Sequence, residues 1–110
     1  MSADGLSVEL RDGIRILTLA NPPLNDLTPG LRDALLEALT APGDACRGIV
    51  LAAEGPNFSG NLPISPDADE PKPGELCRAI AESAVPVVAV LQGLATGLGA
   101  ELALAARARL

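Results

Sequence analysis

The sequence predicts an α/β fold, a mostly parallel sheet with crossover helices, on three observations. Short apolar runs alternate with segments of helical periodicity. Two of the runs, GIVLAA at 48–53 and PVVAV at 86–90, are continuously apolar, as the strands of a buried parallel sheet are. Each run leads into a glycine-containing turn, EGPNFSGN at 54–61 and QGLATGLG at 92–99. Ligand crevices in open α/β sheets lie at such strand ends.

In chain order, Leu6 to Leu10 and Ile14 to Leu19 flank Arg11, Asp12 and Gly13, and Asp-Gly between alternating segments signals a hairpin. Ile14, Ile16 and Thr18 share one face of the second strand, and Arg15, Leu17 and Leu19 the other. The mixed face places the hairpin at a sheet edge or between layers. Asn21-Pro22-Pro23 ends the ladder, because proline lacks the N–H and constrains its neighbour. Thr28 and Pro29 form a helix start, a capping hydroxyl followed by a proline at the first helical position. Leu31, Leu35 and Leu39, with Ala34 and Ala38 beside them, make its apolar stripe, and Pro42-Gly43 stops it.

The run at 48–53 then reads as a central strand covered on both faces. Residues 63–73, PISPDADEPKP, read as a mobile, acidic, proline-rich surface loop, with a linker as the competing reading. A short helix from about Gly74 to Ser83 points Leu76, Cys77, Ile80 and Ala84 toward the core. After the second buried strand, a final helix runs to Leu110 with Arg107 and Arg109 in its last turn.

Composition removes several classes of function. The 110 residues allow one modest domain or part of a larger one, and Phe58 is the single aromatic, so the core is aliphatic. A net charge of −6 with the eight basic residues scattered argues against nucleic-acid and anionic-membrane partners. With no histidine and with Cys46 and Cys77 far apart, a zinc site and Ser/His or Cys/His catalysis within this chain are excluded. Two lone cysteines and no signal peptide or membrane span make the cytoplasm the expected location.

The 85–104 stretch carries the candidate chemistry. Strand, glycine turn and helix start together present backbone N–H groups, which suit an anion or oxyanion. The spacing of Gly93, Gly97 and Gly99 matches neither GxGxxG nor GxxxxGK[ST], so neither a dinucleotide fingerprint nor a P-loop is indicated. Glu101 has Gly97, Leu98, Leu104, Ala105 and Ala108 as helical neighbours, an acid on an apolar face. Burial there favours the neutral carboxyl and raises its pKa into a range useful for proton transfer. A solvated glutamate, favoured by the helix dipole, is the other reading of the same spacing.

Two glycine-rich loops after apolar strands can each aim one N–H at a common point, the construction of an oxyanion hole. The segments ILTLANPPLNDLTPGLRDALLEAL, RGIVLAAEGPNFSG and VPVVAVLQGLATGLGAELALAARARL, in this order, resemble the crotonase superfamily of enoyl-CoA hydratases and isomerases. The likeness is strongest to the N-terminal hydratase part of multifunctional fatty-acid oxidation enzymes. It implies the N-terminal half of a crotonase-like ββα spiral, residues 1–110 being an incomplete domain.

The resemblance further implies an acyl-CoA thioester bound in a backbone oxyanion hole and water added to a 2-enoyl-CoA. By motif position the hole's N–H groups belong to Leu62 and Leu98, and the substrate-binding loops to Ser59, Gly60, Asn61, Gly97 and Gly99. Glu101 matches the first of two catalytic glutamates. Coenzyme A enters only as part of the substrate, and no metal or redox cofactor is implied. The family's second glutamate and the helices that mediate its homo-oligomers lie beyond Leu110, so this fragment alone is expected to be weak or inactive. The leucines at 62 and 98, where the family has small residues, and the missing glutamate favour a different reading, a non-catalytic acyl-CoA-binding or assembly module. A third is a shortened chain that does not fold alone.

Overall fold

A computed structural model describes residues 2–3, 5–41, 43, 45–60 and 73–110. The elements follow the order β1 (Ser2–Ala3), β2 (Leu6–Arg11), β3 (Ile14–Leu19), α1 (Pro29–Thr40), β4 (Gly48–Ala53), α2 (Pro73–Ala81), β5 (Val87–Ala89), α3 (Leu98–Ala105) and β6 (Ala108–Arg109). The strands form one sheet in sequential order, antiparallel from β1 to β3 and parallel from β3 to β6. This is the α/β architecture expected, with helices as the crossovers.

The hairpin turns where the sequence places it. Arg11 pairs with Ile14, leaving Asp12 and Gly13 as a two-residue loop with φ of 52° and 82°. Both values are positive, the type I′ geometry that matches the twist of the flanking strands. β3 is interior, between β2 and β4, while β1 takes the edge.

α1 begins as expected, with Thr28 Oγ1 accepting from Leu31 N–H at 3.3 Å and Pro29 at the first position. Its stripe of Leu31, Leu35, Ala38 and Leu39 is buried, and the Arg15 guanidinium donates to the carbonyl of Ala41 just past its end. The helices meet the sheet through Leu17 and Leu19 of β3, Ile49 and Leu51 of β4, and Val87 and Ala89 of β5. Leu31, Leu35, Leu76, Ile80 and Leu102 close over them, with Phe58 fully buried among these aliphatic side chains. Each strand-to-strand step goes one place in the same direction, so crossovers of one hand stack α1, α2 and α3 on one face.

Four expectations need correction. β4 is covered on one face only among the described residues: Val50 and Ala52 lie outside the core cluster. α2 ends at Ala81, and Ala84 is exposed rather than turned coreward. The final helix does not reach Leu110; it stops at Ala105, Ala106 is extended, and residues 107–110 return to the sheet. Arg107 N–H donates to Val87 O at 2.8 Å and Leu110 N–H to Ala89 O at 2.9 Å. Pairing the open edge of β5 outweighs one more helical turn, and the Arg109 guanidinium reaches back to the carbonyls of Ala103, Leu104 and Ala106 at the end of α3. The fourth concerns Glu101, which is exposed, as described below. The loop placed at 63–73 falls outside the described residues except for Pro73, which opens α2.

Among the described residues no helix is long and apolar enough to cross a membrane.

Candidate functional site

The two glycine-rich turns meet at the C-terminal ends of β4 and β5. Phe58 N–H donates to Gln92 O (2.8 Å), Ser59 N–H to Leu94 O (3.2 Å), and Thr96 N–H to Ser59 O (3.0 Å), so Ser59 and Ala95 form a parallel bridge outside the main sheet. Side chains reinforce the seam. Asn57 accepts from Leu94 N–H at 2.9 Å and donates to Pro23 O at 2.9 Å, and Gln92 donates to Ala53 O at 2.7 Å. At Gly93, with φ of 54°, a Cβ would fall well inside van der Waals contact distance of the Pro56 carbonyl oxygen. The two backbones touch there because no side chain stands between them.

A third loop, hardly marked in the sequence, locks this pair. Asn25 is fully buried with φ of 53°. Its side-chain amide donates to Glu54 O (2.9 Å) and Asn57 O (2.8 Å), and its Oδ1 accepts from Asn21 N–H (2.8 Å). Ser59 Oγ donates to Asn25 O at 2.8 Å, and Gly60 N–H to Leu24 O at 2.8 Å. Asn25 thereby fixes the turn after β4 to the turn after β3. In sequence it is one polar residue in a loop; the one hint is that asparagine tolerates the left-handed conformation.

Onto this seam α3 is set directly. Gly97, with φ of 55°, occupies the N-cap position without a side-chain cap. Leu98 is the first helical residue; its side chain is 7% exposed and joins the core, while its N–H belongs to the helical turn that has no intrahelical acceptors. Gly99 packs against Ser59: a Cβ on Gly99 would lie 2.5 Å from Ser59 O and 2.7 Å from Ser59 Cβ. The structure thus brings Ser59, Gly60, Leu98 and Gly99 together, with Gly97 at the exposed rim. Asn61 and Leu62 lie outside the described residues.

Glu101 sits in the first turn of α3, its N–H bonded to Gly97 O at 3.1 Å. The expected burial is absent: Glu101 is exposed, and Leu104 on the same side of the helix is 69% exposed. Of the helical neighbours read from spacing, Ala108 lies in β6 rather than in α3 and Leu98 turns into the core, and among the described residues no element packs over Glu101 and Leu104. Cys77 of α2 lies within reach of its charge. Burial pushes the Cys77 thiol above its ordinary range, and the Glu101 carboxylate raises it further. Both effects disfavour the thiolate, the form that alkylates. Glu101→Gln removes the second effect, so Cys77 is expected to react faster with iodoacetamide at mildly alkaline pH; an unchanged rate in mass-spectrometric time courses would show the two groups to be uncoupled.

Among the described residues no three His, Cys, Asp or Glu side chains gather to hold a metal.

Set beside known proteins, the chain matches the N-terminal region of multifunctional β-oxidation enzymes. It is 33% identical over 119 residues to the peroxisomal fatty acid beta-oxidation multifunctional protein AIM1 of Arabidopsis thaliana, covering 96% of this chain and 16% of that protein. Cyclohexa-1,5-dienecarbonyl-CoA hydratase of Thauera aromatica is 36% identical over 110 residues, covering 86% of this chain and 40% of that one. Among solved structures, an enoyl-CoA hydratase from Mycobacterium avium subsp. paratuberculosis K-10 superposes with a TM-score of 0.83 at 32% identity, over 98% of this chain and 44% of its own. The chain belongs to the crotonase superfamily. No protein-family model matches it. This crotonase chain spans less than half the length of each of these three relatives.

Proposed function

We propose that this chain forms the thioester-gripping part of an enoyl-CoA hydratase site. One observation carries the reading: the turns after β4 and β5 are bridged at Ser59 and Ala95, and α3 begins against that bridge with Gly99 on Ser59. A thioester carbonyl at this junction would accept from Leu98 N–H, with Leu62 N–H as the second donor implied by the resemblance. Both donors act where negative charge grows as the enolate forms, so they favour the transition state over the ground state. The enolate arises as the water oxygen bonds to C3 of the conjugated thioester and the C2=C3 electron pair moves toward the carbonyl; a proton then goes to C2. Glu101 orients that water and exchanges its proton, working with a second carboxylate that the resemblance places beyond Leu110.

Coenzyme A belongs to the substrate in this reading, and no metal or redox cofactor takes part. The two cysteines Cys46 and Cys77 are free, which supports a reducing compartment such as the cytoplasm.

The test uses a polypeptide that carries this chain together with the rest of a crotonase domain. Glu101→Gln should lower the hydration rate by roughly 10²- to 10⁴-fold while leaving the thermal melt in place, since the side chain is exposed. A rate equal to wild type removes Glu101 from the reaction.

The exposure of Glu101 favours a second reading, a module that binds acyl-CoA without turnover. Saturable binding that survives Glu101→Gln, with no hydration in the parent protein, would select it.

A further inference from the structure

Ser59 is enclosed at the meeting point of the three loops, 2% exposed. Its three hydrogen-bonding groups are all engaged within the protein. The N–H donates to Leu94 O at 3.2 Å, the carbonyl oxygen accepts from Thr96 N–H at 3.0 Å, and Oγ donates to Asn25 O at 2.8 Å. The resemblance counts this residue in a substrate-binding loop, but a buried hydroxyl already committed to a backbone carbonyl has no donor left for a thioester.

What Ser59 does touch is the start of α3. Its carbonyl holds Thr96, ahead of Leu98, and its surface holds Gly99, directly after it, so Ser59 grips the chain on both sides of Leu98. A Cβ on Gly99 would lie 2.5 Å from Ser59 O, 2.7 Å from Ser59 Cβ and 3.0 Å from Ser59 Oγ, so the helix rests on this side chain directly. Glu101 belongs to the same unit, its N–H being bonded to Gly97 O. On the far side the hydroxyl ends on Asn25, whose own amide holds Glu54 O and Asn57 O. One side chain therefore links the buried lock between the β3 and β4 turns to the first turn of α3.

We propose that Ser59 is a positioning residue for the reaction, its hydroxyl fixing Leu98 N–H relative to the turn after β4 without touching the substrate. The inference rests on the hydratase reading given above. Oxyanion donors work over a narrow range, about 2.7–3.1 Å from the developing charge. Removing Oγ leaves Asn25 O buried without this donor and opens a gap the size of an oxygen atom beside Gly99, so the start of α3 settles by roughly a fraction of an ångström. A shift of that size leaves a ground-state thioester bound while weakening the contacts that grow as the enolate forms.

Ser59→Ala, in a polypeptide that carries the rest of the domain, tests this at a temperature where circular dichroism shows wild type and variant both folded. The hydration kcat should fall by about tenfold or more while KM stays within about twofold. Binding of a 3-oxoacyl-CoA, whose enolate spreads negative charge onto the thioester oxygen, should weaken by a similar factor, and binding of a saturated acyl-CoA should hardly change. Ser59→Cys, which keeps a weaker donor, supplies the same comparison should Ser59→Ala fail to fold. A lowered melting midpoint with kcat and the enolate preference both at wild-type values would make Ser59 purely structural and overturn the assignment alone. A wild-type polypeptide that hydrates no 2-enoyl-CoA overturns the hydratase reading and this assignment with it.

Discussion

Asn25→Ala is expected to lower the thermal melting midpoint sharply. Three part-buried hydrogen bonds disappear at once, those to Glu54 O, Asn57 O and from Asn21 N–H. The abandoned groups are partly shielded from water in the seam, and each such group costs up to about 1–3 kcal/mol. Alanine must also hold the φ of 53° that asparagine tolerates. A total of roughly 3–5 kcal/mol is a large share of the roughly 5–15 kcal/mol that stabilises a domain. Circular-dichroism melts would read this as a drop on the order of 15 °C. Asn25→Asp should do no better, because it keeps the acceptor and the backbone preference but sets a carboxylate against the carbonyls of Glu54 and Asn57. A midpoint within a few degrees of wild type for either variant would mean that the three loops hold together without this side chain.

Gly99→Ala should abolish acyl-CoA binding while Gly60→Ala barely changes it. The two glycines neighbour one another in the site, but what surrounds them differs. A Cβ on Gly99 meets the backbone oxygen and Cβ of Ser59 at 2.5 and 2.7 Å, and neither can move without opening the Ser59–Ala95 bridge. The start of α3 must retreat, carrying Leu98 N–H with it. Geometric errors of about 1 Å in a positioned group can cost on the order of 10²-fold. A Cβ on Gly60 meets the tip of Leu94, which is 41% exposed and free to swing away. Calorimetric titration with an acyl-CoA, run on the polypeptide that carries the rest of the domain, separates the two. Equal binding by both variants would detach the Gly99 contact from ligand recognition.

The legible features share a physical basis: each was set within a few residues of chain. Asp12-Gly13 specifies its turn because both positions need positive φ. Thr28-Pro29 specifies a helix start because the hydroxyl caps the helix and the proline needs no N–H there. The stripe of Leu31, Leu35 and Leu39 is a property of helical period. The glycine turns were legible as close approaches, and their common location followed from both lying at the ends of adjacent parallel strands.

The end of α3 was not legible for the opposite reason. ELALAARARL contains no glycine or proline stop, and alanine, leucine and arginine all favour helix. What ends the helix is the unpaired edge of β5, and that edge exists only after the sheet has formed. The exposure of Glu101 is decided the same way, by whether another element stands opposite α3 rather than by its helical neighbours.

The sequence by itself therefore determined the hairpin, the start of α1, the alternation of strand and helix from β2 to α3 and the two glycine-rich turns at strand ends, because propensity, capping and hydrophobic period act over short stretches. Tertiary structure alone decided that Asn25 is the lock between three loops, that Gly99 rests on Ser59, that residues 107–110 turn back into the sheet, and that the helices among the described residues all lie on one face of it. Each of these depends on residues far apart in the chain meeting in space, where unpaired backbone groups and apolar surface must find partners wherever the fold supplies them.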